Sequence, residues 1–448
     1  MSPFRIGAGA GYSGDRIDPA QALAQHAGLN ALVFECLAER TIALAQLRRL
    51  HDPAAGFDPL LTARMQAVLP ACVAQGTRII TNMGAANPEG AGQAVLEVAR
   101  ALGLHGLRVA VVTGDDVLDW VRAQQPALLD GGPPWSALQQ QLVSANAYLG
   151  ADALLPALAS GAEVVLCGRV ADPALFLAPL MHHFGWAADD WSRLGQGIVV
   201  GHLLECAAQV SGGYIADPGA FDVPGLHDVG FPFAEVDADG AAVITKLAGT
   251  GGRVDRLTCT AQLLYEIEDP ARYIQPDVVA DFSAVRLHEL GPDRVAVSGG
   301  AGRLRPDALK ATLGYRDGFI GEGQISYAGP GAQARGELAL DILQHRLVRA
   351  GLDGLERRAE LVGVNAMHGG GAPRHGAAQV PAEVRVRLAL RCTSRAQAEW
   401  VGHEVEALYL NGPAAGGGVN TSVREVVAAA SVLVPRAVVQ TQYRVLVA

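Results

Sequence analysis

The first 190 residues alternate short, almost wholly apolar runs with stretches of helical periodicity. The runs cover 4–9, 30–35, 77–82, 107–113 and 163–167, and each is bounded by glycine or polar residues. Between them, apolar positions recur at three- and four-residue spacing over 19–27, 39–50, 59–75, 88–101, 150–159 and 172–183. A strand covered on both faces reads as a continuous apolar run, and strands alternating with helices pair in parallel. The pattern therefore predicts an α/β domain with an open, mostly parallel, doubly wound sheet. The helix entries agree. Asp18-Pro19-Ala20-Gln21 offers a capping Asp, a first-turn Pro and a Gln at the capping-box position, and Asp58-Pro59 and Asp172-Pro173 repeat the Asp-Pro entry.

Past residue 190 the texture changes to a helix at 201–209, strand-like runs at 241–245 and 294–298, and a helix at 339–351. A strand at 383–391, a helix at 396–412 and a strand-rich tail follow. This order predicts a C-terminal α+β domain with antiparallel pairing, so the expected division is 1–190 and 191–448. Neither a repeat nor a low-complexity linker marks the boundary.

Open α/β sheets bind ligands at the carboxyl ends of their strands. The segments that follow the five predicted strands are Gly9–Arg16, Glu35–Arg40, Asn82–Pro88, Gly114–Asp116 and Gly168–Pro173, all mixing small residues with Asp, Glu, Asn or Arg. Asp18 and Asp172 have a helix-capping duty, whereas Asp15, Glu35, Asn82 and Arg169 have none and are candidates for chemistry. Gly9, Gly11 and Gly14 spell GxGxxG after a strand, with Glu35 where a ribose-binding acid belongs. In a dinucleotide site the helix opens at the second glycine, whereas here the capping signal sits at Asp18. A second cluster, Lys246 followed by Gly249-Thr250-Gly251-Gly252, offers either an amide nest for an anion or a tight antiparallel turn. His202 and Glu205, at i and i+3 of a helix, form a candidate acid–base pair, against the reading of a satisfied core histidine. His182-His183 reads as a helix terminus, His368 sits in a glycine-rich loop over 367–376, and 412–418 is another such loop. Asp115 and Asp116 with Glu35 could hold Mg²⁺, but no spacing requires a metal. No GxSxG elbow is present.

Composition narrows the partners. The 448 residues are 50% apolar and 18% charged, which excludes a disordered or fibrous chain. A net charge of −10 without a basic block argues against nucleic acid, and no apolar run approaches the ~20 residues of a spanning helix. Six dispersed cysteines and a start lacking a secretory h-region point to reduced thiols and a cytoplasmic location. Only two residues are lysine, Lys246 and Lys310, against 33 arginines.

The blocks GAGAGYSGDRID, VFECLAERTIALAQ, TNMGAANP, VVTGDD, GRVADPALFLAPL, GHLLECAAQVSGGYIADP, ITKLAGTGG with QLLYEIEDP, and NGPAAGGG resemble the acyclic terpene utilisation (AtuA-like) family, from about residue 4 to about 440. The resemblance implies a bacterial cytosolic protein tied to breakdown of acyclic isoprenoids such as citronellol and geraniol through branched acyl-CoA thioesters. It supplies a context and no mechanism. Longer members carry a further C-terminal ferredoxin-like module with its own SGDKG-type motif, and the resemblance leads to the expectation that this sequence ends without it.

The resulting expectation is an enzyme of lyase or hydratase type acting on a branched or terpenoid-derived acyl-CoA or carboxylate. Ser13, Asp15, Glu35, Asn82, His202 and Glu205 are the candidate catalytic residues. Gly11, Gly14, Arg16, Arg40, Asn87, Asp115, Arg169, Asp172, Lys246, Thr250, Gly251 and Gly252 are the candidate substrate-binding residues. Within this set Asn82 and Asn87 would donate to a carbonyl or enolate oxygen, Arg169 would clamp a carboxylate, and Lys246 would take an anionic end. No cofactor is required beyond a CoA ester as substrate, and the partner is a small molecule, with a homo-oligomer allowed. Two alternatives stay open: an NAD(P)-dependent oxidoreductase using GxGxxG, and a non-catalytic subunit in an acyl-CoA carboxylase pathway.

Overall fold

Each of the five apolar runs is a strand: β1 (Phe4–Ala10), β2 (Ala31–Phe34), β3 (Arg78–Thr81), β4 (Arg108–Thr113) and, beyond β5 (Leu142–Ala147), β6 (Val164–Leu166). The computed structural model, which describes residues 2–129, 131–369 and 381–448, places them side by side and parallel in the order β1-β2-β3-β6-β4. All residues of β2 and β6 are buried. The reason is coverage from both sides. Helices Asp18–His26, Leu61–Gln75 and Pro88–Ala101 pack on one another and on β1, β3 and β4. Leu155–Ala159, Ala174–Phe184 and Trp191–Glu205 form a second such layer, touching β1, β2 and β4. Right-handed crossovers explain the split: steps from β1 to β4 run one way along the sheet, and the step back to β6 reverses it. Each fully buried Leu, Ile, Val or Phe in these layers contributes roughly 1.5–3 kcal/mol.

Antiparallel strands extend both edges. β7 (Pro232–Val236) pairs with β1, and β8 (Ala242–Lys246) pairs with β7. A small three-stranded sheet is made from β9 (Tyr273–Ile274), β10 (Val279–Asp281) and, further on, β13 (Ala301–Arg303). β11 (Arg286–Gly291) and β12 (Arg294–Ser298) add the last two strands on the β8 side.

The chain forms two compact units, Met1–Gly314 with Ala429–Ala448, and Tyr315–Ala428. Residue 190 lies inside the first unit: helix Trp191–Glu205 completes the second helical layer, and β7 and β8 continue the sheet begun by β1. The second unit follows the order strand, helix, strand, strand, helix, strand. Its elements are β14 (Ala308–Ala328), helix Ala332–Arg349, β15 (Arg357–Val362), β16 (Glu383–Cys392), helix Arg395–Glu406 and β17 (Gly417–Pro435), the outer halves of β14 and β17 belonging to the first unit. Spatially the strands run β15-β16-β14-β17, the split βαβ of ferredoxin-like arrangement. Along β16, Val384, Val386, Leu388 and Leu390 alternate with Arg385, Arg387 and Arg391, so the apolar face packs on the two helices. Of the His368 loop, residues 370–376 lie outside the described residues. A final strand, β18 (Gln442–Val447), pairs antiparallel with β4.

Among the described residues no helix is long and apolar enough to cross a membrane. All six cysteines are free thiols, five of them buried.

Helix Trp191–Glu205 lies so close to β13 that a Cβ on Gly195 would stand 2.0 Å from the Ala301 carbonyl oxygen. Gly195→Ala should therefore cost about 1–3 kcal/mol through overpacking, measured as a lower urea midpoint at unchanged m-value.

Candidate functional site

Glu35 is the first residue after β2 and is buried. Its Oε1 accepts the Leu37 backbone N–H at 2.8 Å and the Asn82 Nδ2 amide at 2.9 Å. Asn82, at the end of the adjacent β3, accepts the Cys36 N–H with Oδ1 at 2.8 Å. Its Oδ1 and one of its two amide hydrogens are committed, so Asn82 orients Glu35. Burial and the neighbouring Asp172 carboxyl push Glu35 up to about 8 against the pull of Arg169, and at neutral pH it holds a proton.

Arg169, three residues after β6, is fully buried. Its guanidinium donates to the Leu37 carbonyl and to Asp172 Oδ1 and lies 4.1 Å over the Tyr148 ring, while its backbone N–H donates to Asp115 Oδ2 at 3.0 Å. Asp115, beyond β4, accepts Asn146 Nδ2 at 2.8 Å as well, and burial raises it to about 6. Asp172 differs from its predicted capping duty. Helix Ala174–Phe184 has Pro173 at its N-cap with no side-chain bond, and the Asp172 carboxylate turns to Arg169 instead. Close packing raises the proton affinity of Asp172, opposed by Arg169.

Asp172 opens onto a cleft of about 460 Å³ within the first unit. Glu39, Tyr148, Glu266, Arg272 and Lys310 supply its polar lining, and Ile274, Leu309, Leu433 and the prolines 173, 276 and 306 its apolar lining. Tyr273 forms part of the wall. Behind it, at 5.5 Å between rings, sits His202, whose Nδ1 is 2.8 Å from Glu205 Oε1. Burial drives His202 down to about 4 and Glu205 well up, so both members of the pair are pushed toward their uncharged forms. Glu39 goes the other way. Burial would raise it, but the Tyr148 hydroxyl, Arg169 and Lys310 bring it down to about 2.

Glu35, Asn82, Asp115, Arg169, Asp172, His202 and Glu205 are thus gathered around one buried cation, whereas other predicted residues serve the chain itself. Asp15 accepts the Gly11 and Arg16 backbone N–H groups at 2.9 and 2.8 Å, and the first loop is pinned where buried Arg64 donates to the Tyr12, Ser13 and Asp15 carbonyls. A Cβ on Gly9 would strike the Phe34 ring and one on Gly11 the Cys206 backbone, so those glycines answer to packing, and the helix starts only at Asp18. Gly14 closes the same turn beside Tyr12. Ile17 holds the N-cap position there, and Asp18 pairs with Arg16. Asn87 caps helix Pro88–Ala101 through the Gly90 N–H at 3.0 Å and donates to the Ala55 carbonyl at 2.9 Å, leaving no free donor. Lys246 is buried, bonded to the Thr250 carbonyl at 2.9 Å and to Asp293 at 3.1 Å. The amides of Gly251 and Gly252 bond to the Asp228 and Pro224 carbonyls, so the nest is filled by the chain. Arg40 is exposed. Among the described residues no group of three or more His, Cys, Asp or Glu is placed to hold a metal ion.

Sequence reasoning passed over Glu39, Tyr148 and Lys310 as one group. Helical spacing carries a signal for the first: the buried Ile42 and Ala43 lie three and four residues after Glu39, so Glu39 and not Arg40 faces inward. Lys310 stood out only by rarity. Tyr148 had no signal, because it meets Lys310 through pairing of β5 with the start of β14, where the Tyr148 N–H donates to the Lys310 carbonyl at 2.8 Å.

Comparison with known proteins gives one match: the family described as acyclic terpene utilisation family protein AtuA, over residues 4–445. No curated protein and no solved structure matches the chain.

The proton held by Glu35 has a thermodynamic consequence. Its ordinary value is near 4.5 and its folded value about 8, so the stability it contributes is complete below pH 4.5 and is lost as pH rises through about 8. Glu35→Gln cannot titrate. Its Tm should gain on that of the unmodified protein as pH rises from about 5 to about 8 and then stay level. The buried His202, down at about 4, acts in the opposite sense between about 4 and 6.5 but equally in both proteins. A Tm difference independent of pH would contradict the assignment.

Proposed function

The chain belongs to the acyclic terpene utilisation family, and from that premise we propose that it is an enzyme of acyclic-isoprenoid breakdown. Its substrate in this reading is a branched, terpenoid-derived carboxylate or acyl-CoA thioester, transformed by proton transfer in hydration, dehydration or carbon–carbon cleavage. One observation carries the reading. An acid of raised proton affinity, Asp172, is tied to the buried Arg169 and lines a cleft that also presents apolar side chains and the cations Arg272 and Lys310.

The chemistry follows from what these groups do. A carboxylic acid of raised proton affinity can protonate a leaving hydroxyl or an alkene carbon, and its conjugate base can remove a proton next to a carbonyl. Arg169 stabilises the carboxylate formed when Asp172 gives up its proton, so the acid is restored without a free negative charge in a buried place. Ile274, Leu309 and Leu433 give a methyl-branched chain an apolar wall, and Lys310 with Arg272 gives an anionic oxygen a partner. Glu35 and the His202–Glu205 pair lie behind the surface and act on Asp172 through its field.

Purified protein assayed on ten-carbon branched acyclic acids and their CoA thioesters should turn over at least one of them. Asp172→Asn should lower kcat/KM by about 100-fold or more while leaving the circular dichroism spectrum unchanged, the range that loss of a general acid–base group produces. Full activity in that variant would move the chemistry elsewhere. Absence both of turnover and of any ligand-induced thermal shift would end the enzymatic reading.

A further inference from the structure

Glu39, Tyr148 and Lys310 stand together on the cleft wall and are not used by the acid–base chemistry of Asp172. They come from three segments: the first turn of helix Glu39–His51, the residue after β5, and the start of β14. Lys310 Nζ is 3.2 Å from Glu39 Oε1 and 5.2 Å from the centre of the Tyr148 ring. The Tyr148 hydroxyl donates to that same carboxylate oxygen, and Thr312 Oγ1 is 3.4 Å from the hydroxyl. One carboxylate thus receives an ammonium and a phenol, the pair of donors that would recognise a ligand carboxylate at this place.

We propose that Glu39 is a resident stand-in for the substrate's own carboxylate: it fills the Lys310–Tyr148 seat, and an incoming carboxylate displaces it. This rests on the reading of the cleft as the substrate site and adds how that site selects its ligand. The geometry allows the exchange. The side chains of Glu39 and Lys310 are 43% and 44% exposed, so the pair can part without opening the core, and a half-exposed ion pair is held only weakly. Lys310 suits a seat that changes occupant, because a flexible ammonium follows either carboxylate, while the Arg-dominated composition elsewhere supplies fixed forks. The ring of Tyr148, packed against the Arg169 guanidinium and near the Lys310 ammonium, keeps the hydroxyl aimed at the seat whichever carboxylate occupies it. Selection then follows from competition. A ligand carboxylate has to outbind Glu39, and an uncharged analogue gains nothing from the displacement.

Calorimetric titration at neutral pH with a ten-carbon, methyl-branched acyclic carboxylate and with its primary amide tests the proposal. Removing the resident competitor in Glu39→Gln should tighten carboxylate binding about tenfold, the factor by which a competent seat was previously hidden, and leave amide binding unchanged. Lys310→Gln should erase the preference for carboxylate over amide. Circular dichroism and Tm of both variants should match those of the unmodified protein. If the carboxylate binds but Glu39→Gln leaves its affinity unchanged or weaker, the displacement is refuted while the cleft stays the substrate site. If neither compound nor the corresponding CoA thioester binds at all, the cleft itself is misassigned and the displacement falls with it.

Discussion

A guanidinium taken out of water is the constraint around which the first unit is arranged. Placing the Arg169 charge in the interior carries a desolvation penalty of several kcal/mol, and only a dense set of acceptors offsets it. The structure supplies them from separate strand ends. The Leu37 carbonyl comes from the loop after β2, the Asp172 carboxylate from the loop after β6, and the Tyr148 ring from the end of β5. The Arg169 backbone is fixed in turn by Asp115 from the loop after β4. Four loops are therefore tied to one residue. Deleting its side chain would leave Asp172 and the Leu37 carbonyl without their partner, which is the costly half of breaking a buried pair.

The topology explains why the cation sits there. β6 enters the sheet between β3 and β4, so the chain reverses its direction along the sheet at that strand, and neighbouring connections leave toward opposite faces. A crevice opens where such connections diverge, at the carboxyl ends of the strands. Glu35, Asn82, Asp115 and Arg169 are the residues that β2, β3, β4 and β6 deliver to that edge. The antiparallel β7 and β8 lie two and three strands away from β2. Their GTGG turn emerges at the same edge, since β8 runs parallel to β1, yet it serves its own loop and not the crevice.

This difference also explains how far the sequence could be followed. The parallel strands were legible because burial on both faces leaves few polar positions inside them, and Glu35, Arg169 and Asp172 were legible as polar residues just past such runs. Asp15, Asn87 and Lys246 carried the same signature for another reason. Each satisfies backbone groups of a tight loop, and a residue that bonds to its own chain is indistinguishable in sequence from one that waits for a ligand. Residue 190 looked like a boundary because antiparallel strands and a long helix follow it, although they extend the same sheet and the same helical layer. The inserted split βαβ was visible only as strand and helix fragments, since its strand order depends on pairing between β14 and β16, far apart in the chain.

Protonation completes the electrostatics of the crevice. Glu35, Asp172 and Glu205 are all raised, so around Arg169 the carboxyls tend to the neutral acid, and His202 is neutral as well. Glu39 alone among them is lowered, to about 2, because the Tyr148 hydroxyl, Arg169 and Lys310 outweigh its burial. Arg169 is thus the cation on the buried side of the crevice, and the firm anion, Glu39, stands at the cleft wall beside Lys310. Any proton withdrawn from Asp172 creates a charge that Arg169 already faces, whereas a charge brought in from solvent meets Lys310 first. In the proposed reading the two cations divide the work by burial: the arginine, locked by fixed acceptors, would compensate charge that arises inside the protein, and the lysine, on its flexible stem, would meet charge that arrives from outside.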